Sequence, residues 1–204
     1  MLQHPAAVRA AFEEATGQFV TTVRRVPAEL WDAPGALGEW TVRQLTGHCL
    51  RALTTIETYL AAEPGNDRSI ADALEYFELS LGDPSIHRSV AERGRQAGRA
   101  LDDPPGQVEA VADRLRGLVG STGDDDPLSN PAGTMVFSEY LVTRVIELAV
   151  HTLDLQRATN QVPTMSPAVA HVVLGLLVQL ADPVRLTLAL TGRQTLPDDY
   201  NVLS

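Results

Sequence analysis

A chain of 204 residues, 44% hydrophobic and 21% charged, has the length for one large domain or a domain with a small appendage, and the balance of an ordinary soluble globular protein. The net charge of −10, with no basic stripe to offset it, repels phosphate backbones and disfavours nucleic acid as a partner. A single cysteine allows no internal disulfide, the N-terminus MLQHPAAVRAAFEEATG has no apolar signal core, and the longest apolar stretch, Ala168 to Ala181, is too short to span a bilayer; a cytoplasmic protein without a membrane partner is expected.

The first helix is expected from about Pro5 to Arg25, with Val8, Ala11, Phe12, Ala15, Phe19, Val20 and Val23 as its apolar face and Pro5 in its first turn. The segment VPAELWDAPGALGEW then breaks it with Pro and Gly punctuation. The second helix has the best-marked start in the chain. Thr41 and Gln44 form a T-x-x-Q capping box, and Trp40 is placed to staple onto Leu45. That helix runs to about Ala62 and carries His48 two turns inside it.

A third helix is expected over 68–80, and two more solvated ones over about 84–102 and 105–119. The stretch GSTGDDDPLSNPAG reads as a long loop, of a kind that is often functional or mobile in compact domains. It leads into FSEYLVTRVIELAVHTLDLQRA, a helix apolar almost all round. Ser166 and Pro167 then open a helix to about Ala181. The tail VRLTLALTG alternates like a strand, to be paired with the run TMVF or with another chain. Its exposed edge over Val184–Leu190, with the apolar helix before it, points to a homodimer. The division expected is a helical bundle over residues 1–160 and a short helix–strand extension over 161–204 packed on it.

The apolar helix carries one polar stripe, Arg144, Glu147, His151 and Asp154, spaced by three, four and three residues and therefore on one helical edge. A helix greasy on every side is normally buried, so the stripe is expected to point inward, and a buried carboxylate needs something positive opposite it. Glu147 and His151 are placed to share an ion, with His48 from the second helix as third ligand. Two imidazoles and one carboxylate leave a position open, which is the arrangement of a catalytic rather than a structural metal site. Zinc is the default, and nickel, iron(II) and manganese accept the same donors. Arg144 could orient the glutamate or bind a substrate carboxylate. Asp154 could accept a hydrogen bond from the far side of His151. The plain structural alternative is an Arg144–Glu147 ion pair beside a His151–Asp154 hydrogen bond. Cys49 points about 100° round the helix from His48 and should be a packed thiol. His4, His87 and His171 read as structural, and Asp124–Asp125–Asp126 lacks the alternating spacing of a calcium loop.

The run Trp40-Thr41-Val42-Arg43-Gln44-Leu45-Thr46-Gly47-His48 after Trp31, joined to Tyr140 through Leu155 about a hundred residues later, resembles the N-terminal domain of mycothiol-dependent maleylpyruvate isomerases, within the DinB-like metal-binding superfamily. The ending Leu190-Thr191-Gly192-Arg193 with Leu196-Pro197 resembles short actinobacterial members. The resemblance implies a mainly α fold, an up-and-down four-helix bundle with extra helices. It implies His48, Glu147 and His151 as ligands of a divalent metal, and mycothiol or another low-molecular-weight thiol as cofactor. The thiolate would add to a conjugated cis double bond, rotation about the new single bond would follow, and elimination would give the trans product; other members transfer the thiol to an electrophile. Full isomerases carry a second domain that supplies part of the active site, including a substrate-clamping arginine. Here residues 161–204 follow the bundle, and Arg43 or Arg193 would have to compensate.

Two functions are therefore expected to compete. One is a metal-dependent, thiol-using isomerase or S-transferase acting on a small electrophilic molecule. The other is a non-catalytic metal-binding bundle with a binding or regulatory role.

Overall fold

The computed structural model describes residues 4–63, 68–81 and 84–203, without the side chains of 84–91. Four helices make the core: α1 (Pro5–Arg24), α2 (Val42–Leu60), α5 (Pro104–Ser121) and α6 (Phe137–Ala158). α1 packs on α5 and α6, and α2 packs on the same two, so the four close a ring around one apolar interior. α3 (Ala73–Leu81) lies against α6, α4 (Pro84–Arg99) against α2, and α7 (Pro167–Leu180) against α1 and α6. No helix among the described residues is long and apolar enough to cross a membrane.

Local chemistry fixes where the two site-bearing helices begin. Thr41 Oγ1 accepts from Gln44 N (3.2 Å) while Gln44 Oε1 accepts from Thr41 N (3.0 Å), closing the expected capping box. Trp40 and Leu45 are both buried beside it. α6 has no side-chain cap. Its first amides, Phe137 and Ser138, instead donate to the carbonyls of Asp126 and Asp124. Those carbonyls are held by what the sequence suggested was a loose loop. β1 (Pro127–Asn130) and β2 (Gly133–Val136) form an antiparallel hairpin with Leu128 opposite Met135, both buried in the core. Asp124 pairs with Arg9 of α1, and Asp126 accepts from Gly123 N, so this acidic run staples the hairpin to the bundle.

The expected strand over Val184–Leu190 is instead a helix, α8 (Pro183–Leu190), and TMVF has β1 as its strand partner. Asp182 and Pro183 are the reason. Asp182 Oδ1 caps Arg185 N at 2.9 Å and proline sits at the first helical position. The apolar–polar alternation was local and found no sheet to join. The strand edge behind the homodimer expectation is therefore not there. Leu174, Val178, Val184 and Leu190 do remain exposed on α7 and α8.

The approach of α4 to α2 depends on two glycines. A Cβ on Gly47 would lie 2.3 Å from the backbone nitrogen of Gly98, and one on Gly98 would lie 2.6 Å from Gln44 Cα. Backbone cannot yield as a side-chain tip does. Gly47→Ala should therefore lose stability, by about 1–3 kcal/mol, although alanine is the better helix former. The melting temperature should fall by about 2–12 °C in a thermal scan. An unchanged or raised value would show that α4 is not seated on α2 in this way.

Candidate metal centre

α2 and α6 are neighbours in the ring, and their facing edges bring His48 against Glu147 and His151. His48 Nε2 lies 3.2 Å from Glu147 Oε2, and His151 Nε2 lies 3.6 Å from the same oxygen. One donor atom from each residue falls within 4.8 Å of both others. Donors about 2.1 Å from a tetrahedral ion are about 3.4 Å apart, so the two measured separations bracket what such an ion requires. The donor set therefore fits a divalent cation. Among the described residues this is the one group of three such side chains that converges.

The surroundings orient the donors. His151 Nδ1 donates to Asp154 Oδ2 at 3.1 Å, so a neutral ring would carry its lone pair on Nε2, the atom facing Glu147. The His48 and His151 rings meet edge to face with centroids 4.8 Å apart, and Trp40 packs on His48 at 5.1 Å. Burial disfavours the Glu147 carboxylate, but hydrogen bonds from His151 and His48 and the charge of Arg144 outweigh it and hold the group well below the usual carboxylate range. Burial likewise disfavours the charged His151 imidazolium. Its hydrogen bonds to Asp154 and Glu147 prevail and push it up to about 9. Cys49 is fully buried, its thiol pushed up by burial, and it stands outside the group as expected.

Arg144 departs from the ion-pair alternative of the sequence reading. It forms no ion pair with Glu147. Its Nε donates to Thr143 Oγ1 at 3.0 Å and its guanidinium stacks on the Tyr140 ring, 4.7 Å from the centroid. The stripe is also only partly buried. Arg144 is 7% exposed, whereas the Glu147 and Asp154 side chains keep 26% and 23%, because the stripe opens onto cavities rather than onto solid core. His4 caps α1 through Nδ1, His171 is exposed on α7, and His87 lies outside the described side chains.

Two cavities flank the cluster. The larger, about 540 Å³, has Trp40, Phe77, Ile146 and Val150 among its walls and reaches His48, Glu147 and His151. Asn201 and Leu203 also line it, a contribution from the C-terminal tail that no periodicity announced. The smaller, about 100 Å³, lies on the other side of His48 and Glu147 and is lined by Arg51, Arg93 and Arg144. Arg43 and Arg193, the expected substitutes for a clamping arginine, line neither of these cavities. Arg43 pairs with Asp32 and donates to the Leu101 carbonyl, and Arg193 bonds its own tail at Thr191. Arg51 had a readable signal, since it follows His48 by three residues and so shares its helix face.

The family model described as the mycothiol maleylpyruvate isomerase N-terminal domain matches residues 12–156, which include all three donors. No curated protein and no solved structure matches the chain.

Proposed function

Because the chain belongs to the mycothiol maleylpyruvate isomerase N-terminal domain family, a DinB-like family, we propose that it is a metal-dependent, thiol-using enzyme, an isomerase or S-transferase acting on a small electrophile. The observation that carries this reading is the convergence of His48, Glu147 and His151 between two helices with cavity space on both sides. Those three residues would hold a divalent cation, zinc by default, leaving a coordination position for chemistry. A cation held there supplies positive charge that lowers the pKa of an adjoining thiol, keeping mycothiol or a similar small thiol as thiolate near neutral pH.

The rest is the work of the chain itself. Asp154 holds His151 through Nδ1, so that loss of the ring's other proton would leave an Nε2 lone pair facing the site. Trp40, Ile146 and Val150 give the larger cavity an apolar wall against which the carbon skeleton of a small electrophile would pack. Arg144, held rigid by Tyr140 and Thr143, presents a fixed positive charge at the edge of the site.

The test is elemental analysis of protein purified without an affinity tag, followed by thiol consumption against a generic electrophile with mycothiol. About one equivalent of divalent metal and enzyme-dependent loss of thiol are expected. Asp154→Asn should weaken metal affinity about 10- to 100-fold, because the amide no longer orients His151 as a carboxylate does. Protein that binds no metal under any loading condition, or loaded protein that leaves the thiol untouched, would end the reading.

A further inference from the structure

The segment after α8 is tied down at its two ends. Thr191 through Asp199 are exposed, and from Thr195 to Leu203 the hydrogen bonds among the described residues are all local. Tyr200 N donates to the Pro197 carbonyl at 3.0 Å, and Leu203 N to Asn201 Oδ1 at 2.8 Å. The root is held at α8, where Arg193 N donates to the Leu188 carbonyl and the Arg185 guanidinium lies 5.8 Å from the centre of the Tyr200 ring. At the other end Leu203 packs against the hydrophobic core. With Asn201 it lines the larger cavity, whose walls also hold His48, Glu147 and His151.

The cavity therefore has one wall unlike the others. Trp40, Phe77 and Ile146 are buried parts of the body, fixed by the core they belong to. The tail wall rests on one half-buried leucine, without a backbone ladder to the bundle among the described residues. Half the burial of a leucine corresponds to roughly a four- to twelvefold preference for the seated position, so the lifted position is a well-populated minor state. Weakly held segments of this kind are the ones that open locally in a folded protein. Asn201 adds a polar group to the same wall. Its Oδ1 is taken by Leu203 N, which leaves its side-chain amide N–H groups for whatever lies in the cavity.

We propose that residues 191–203 form a strap that closes the larger cavity over its ligand, with Leu203 as the latch and the Asn201 amide as a hydrogen-bond donor to that ligand. The matching ligand has an apolar body to lie on Trp40, Phe77 and Ile146, and an oxygen acceptor at the end nearest the tail. That this ligand is a reactant of the metal centre rests on the function proposed above; the opening and closing of the strap does not.

The experiment reads opening from the rate at which a thiol inside the cavity is labelled. Cys49 is the single cysteine of the chain and is buried, so the unsubstituted protein gives the background. Ser80 lines the cavity, and Ser80→Cys places a reactive group behind the strap. Metal-free Ser80→Cys is treated with a bulky maleimide, alone and combined with Leu203→Ser or Leu203→Met. Removing the latch with serine should speed labelling about four- to twelvefold, while methionine, which keeps the apolar contact, should leave the rate within twofold. Equal rates with leucine and serine at 203, or equal acceleration by serine and methionine, overturn the strap. A second arm measures thiol consumption by metal-loaded wild type, Leu203→Ser and Asn201→Ala. A several-fold rise in KM with kcat kept, in both variants, supports the ligand contact. Unchanged KM in both overturns that contact while leaving the thiol-enzyme reading intact. Latch-dependent labelling in a protein that turns over no thiol sinks the enzyme reading and leaves the strap standing.

Discussion

Glu147→Gln should lower metal affinity by roughly 10²- to 10³-fold and remove thiol-dependent activity with it. The magnitude follows from sharing roughly 10–16 kcal/mol of zinc-binding free energy among four ligands, which assigns about 2.5–4 kcal/mol to each. The substitution keeps the shape of the side chain and its position between His48 and His151, but it withdraws the only negative charge in direct contact with both rings. His151 keeps its hydrogen bond to Asp154, so the metal-free protein should remain folded. Its stability should fall by no more than about 1.5–3 kcal/mol, the range for a hydrogen bond to a charged group. Two measurements decide the matter together: a competitive chelator titration for the metal and a thermal melt of the metal-free protein. If the melt collapses while metal affinity is untouched, Glu147 is a structural partner of two histidines and the centre is not a metal site.

The same trio shows how far the amino-acid sequence carries. Three residues spread over two helices could be placed together because α2 announces its start through Thr41 and Gln44, and because α6 bears a single polar edge on an otherwise apolar cylinder. Both signals are periodic and local. What escaped was of two kinds. In the tail, a short alternation outweighed the Asp182–Pro183 start signal, and the helix that formed buries none of its residues, so no amphipathic face was there to read. Around the site, Tyr76, Asn201 and Leu203 line cavities only because α3 and the tail fold over the bundle, and tertiary neighbours of that sort leave no spacing in the chain. Arg144 lies on the edge the spacing assigns it, but the ion-pair alternative with Glu147 does not form. An i, i+3 spacing permits an ion pair with Glu147, whereas stacking on Tyr140 four residues earlier took the guanidinium instead.

Metal affinity should also depend steeply on pH, and in the direction opposite to the stability of the metal-free protein. His151 must be neutral to donate from Nε2, yet without metal its proton is held up to about 9 by Asp154 and Glu147, against an ordinary value of 6.5. Below about pH 9 each ion bound therefore displaces a proton, and the apparent dissociation constant should tighten about tenfold for every pH unit gained between 6 and 9, levelling off above. Glu147 adds no pH dependence in that window, because its carboxyl is held well below 4.5 and stays ionised. The metal-free protein runs the other way. A raised imidazole stabilises the fold fully below 6.5 and loses that contribution as pH rises through about 9, while the depressed carboxyl contributes above 4.5 and is lost only as pH falls through its lowered value. The increase in melting temperature on adding metal should thus grow from pH 6 to pH 9 at fixed free metal. Calorimetry in buffers of differing ionisation enthalpy should count close to one proton released per ion near pH 7.5. A flat pH profile with no proton release would mean that His151 already stands neutral, and the balance of Asp154 and Glu147 against burial described here would be wrong.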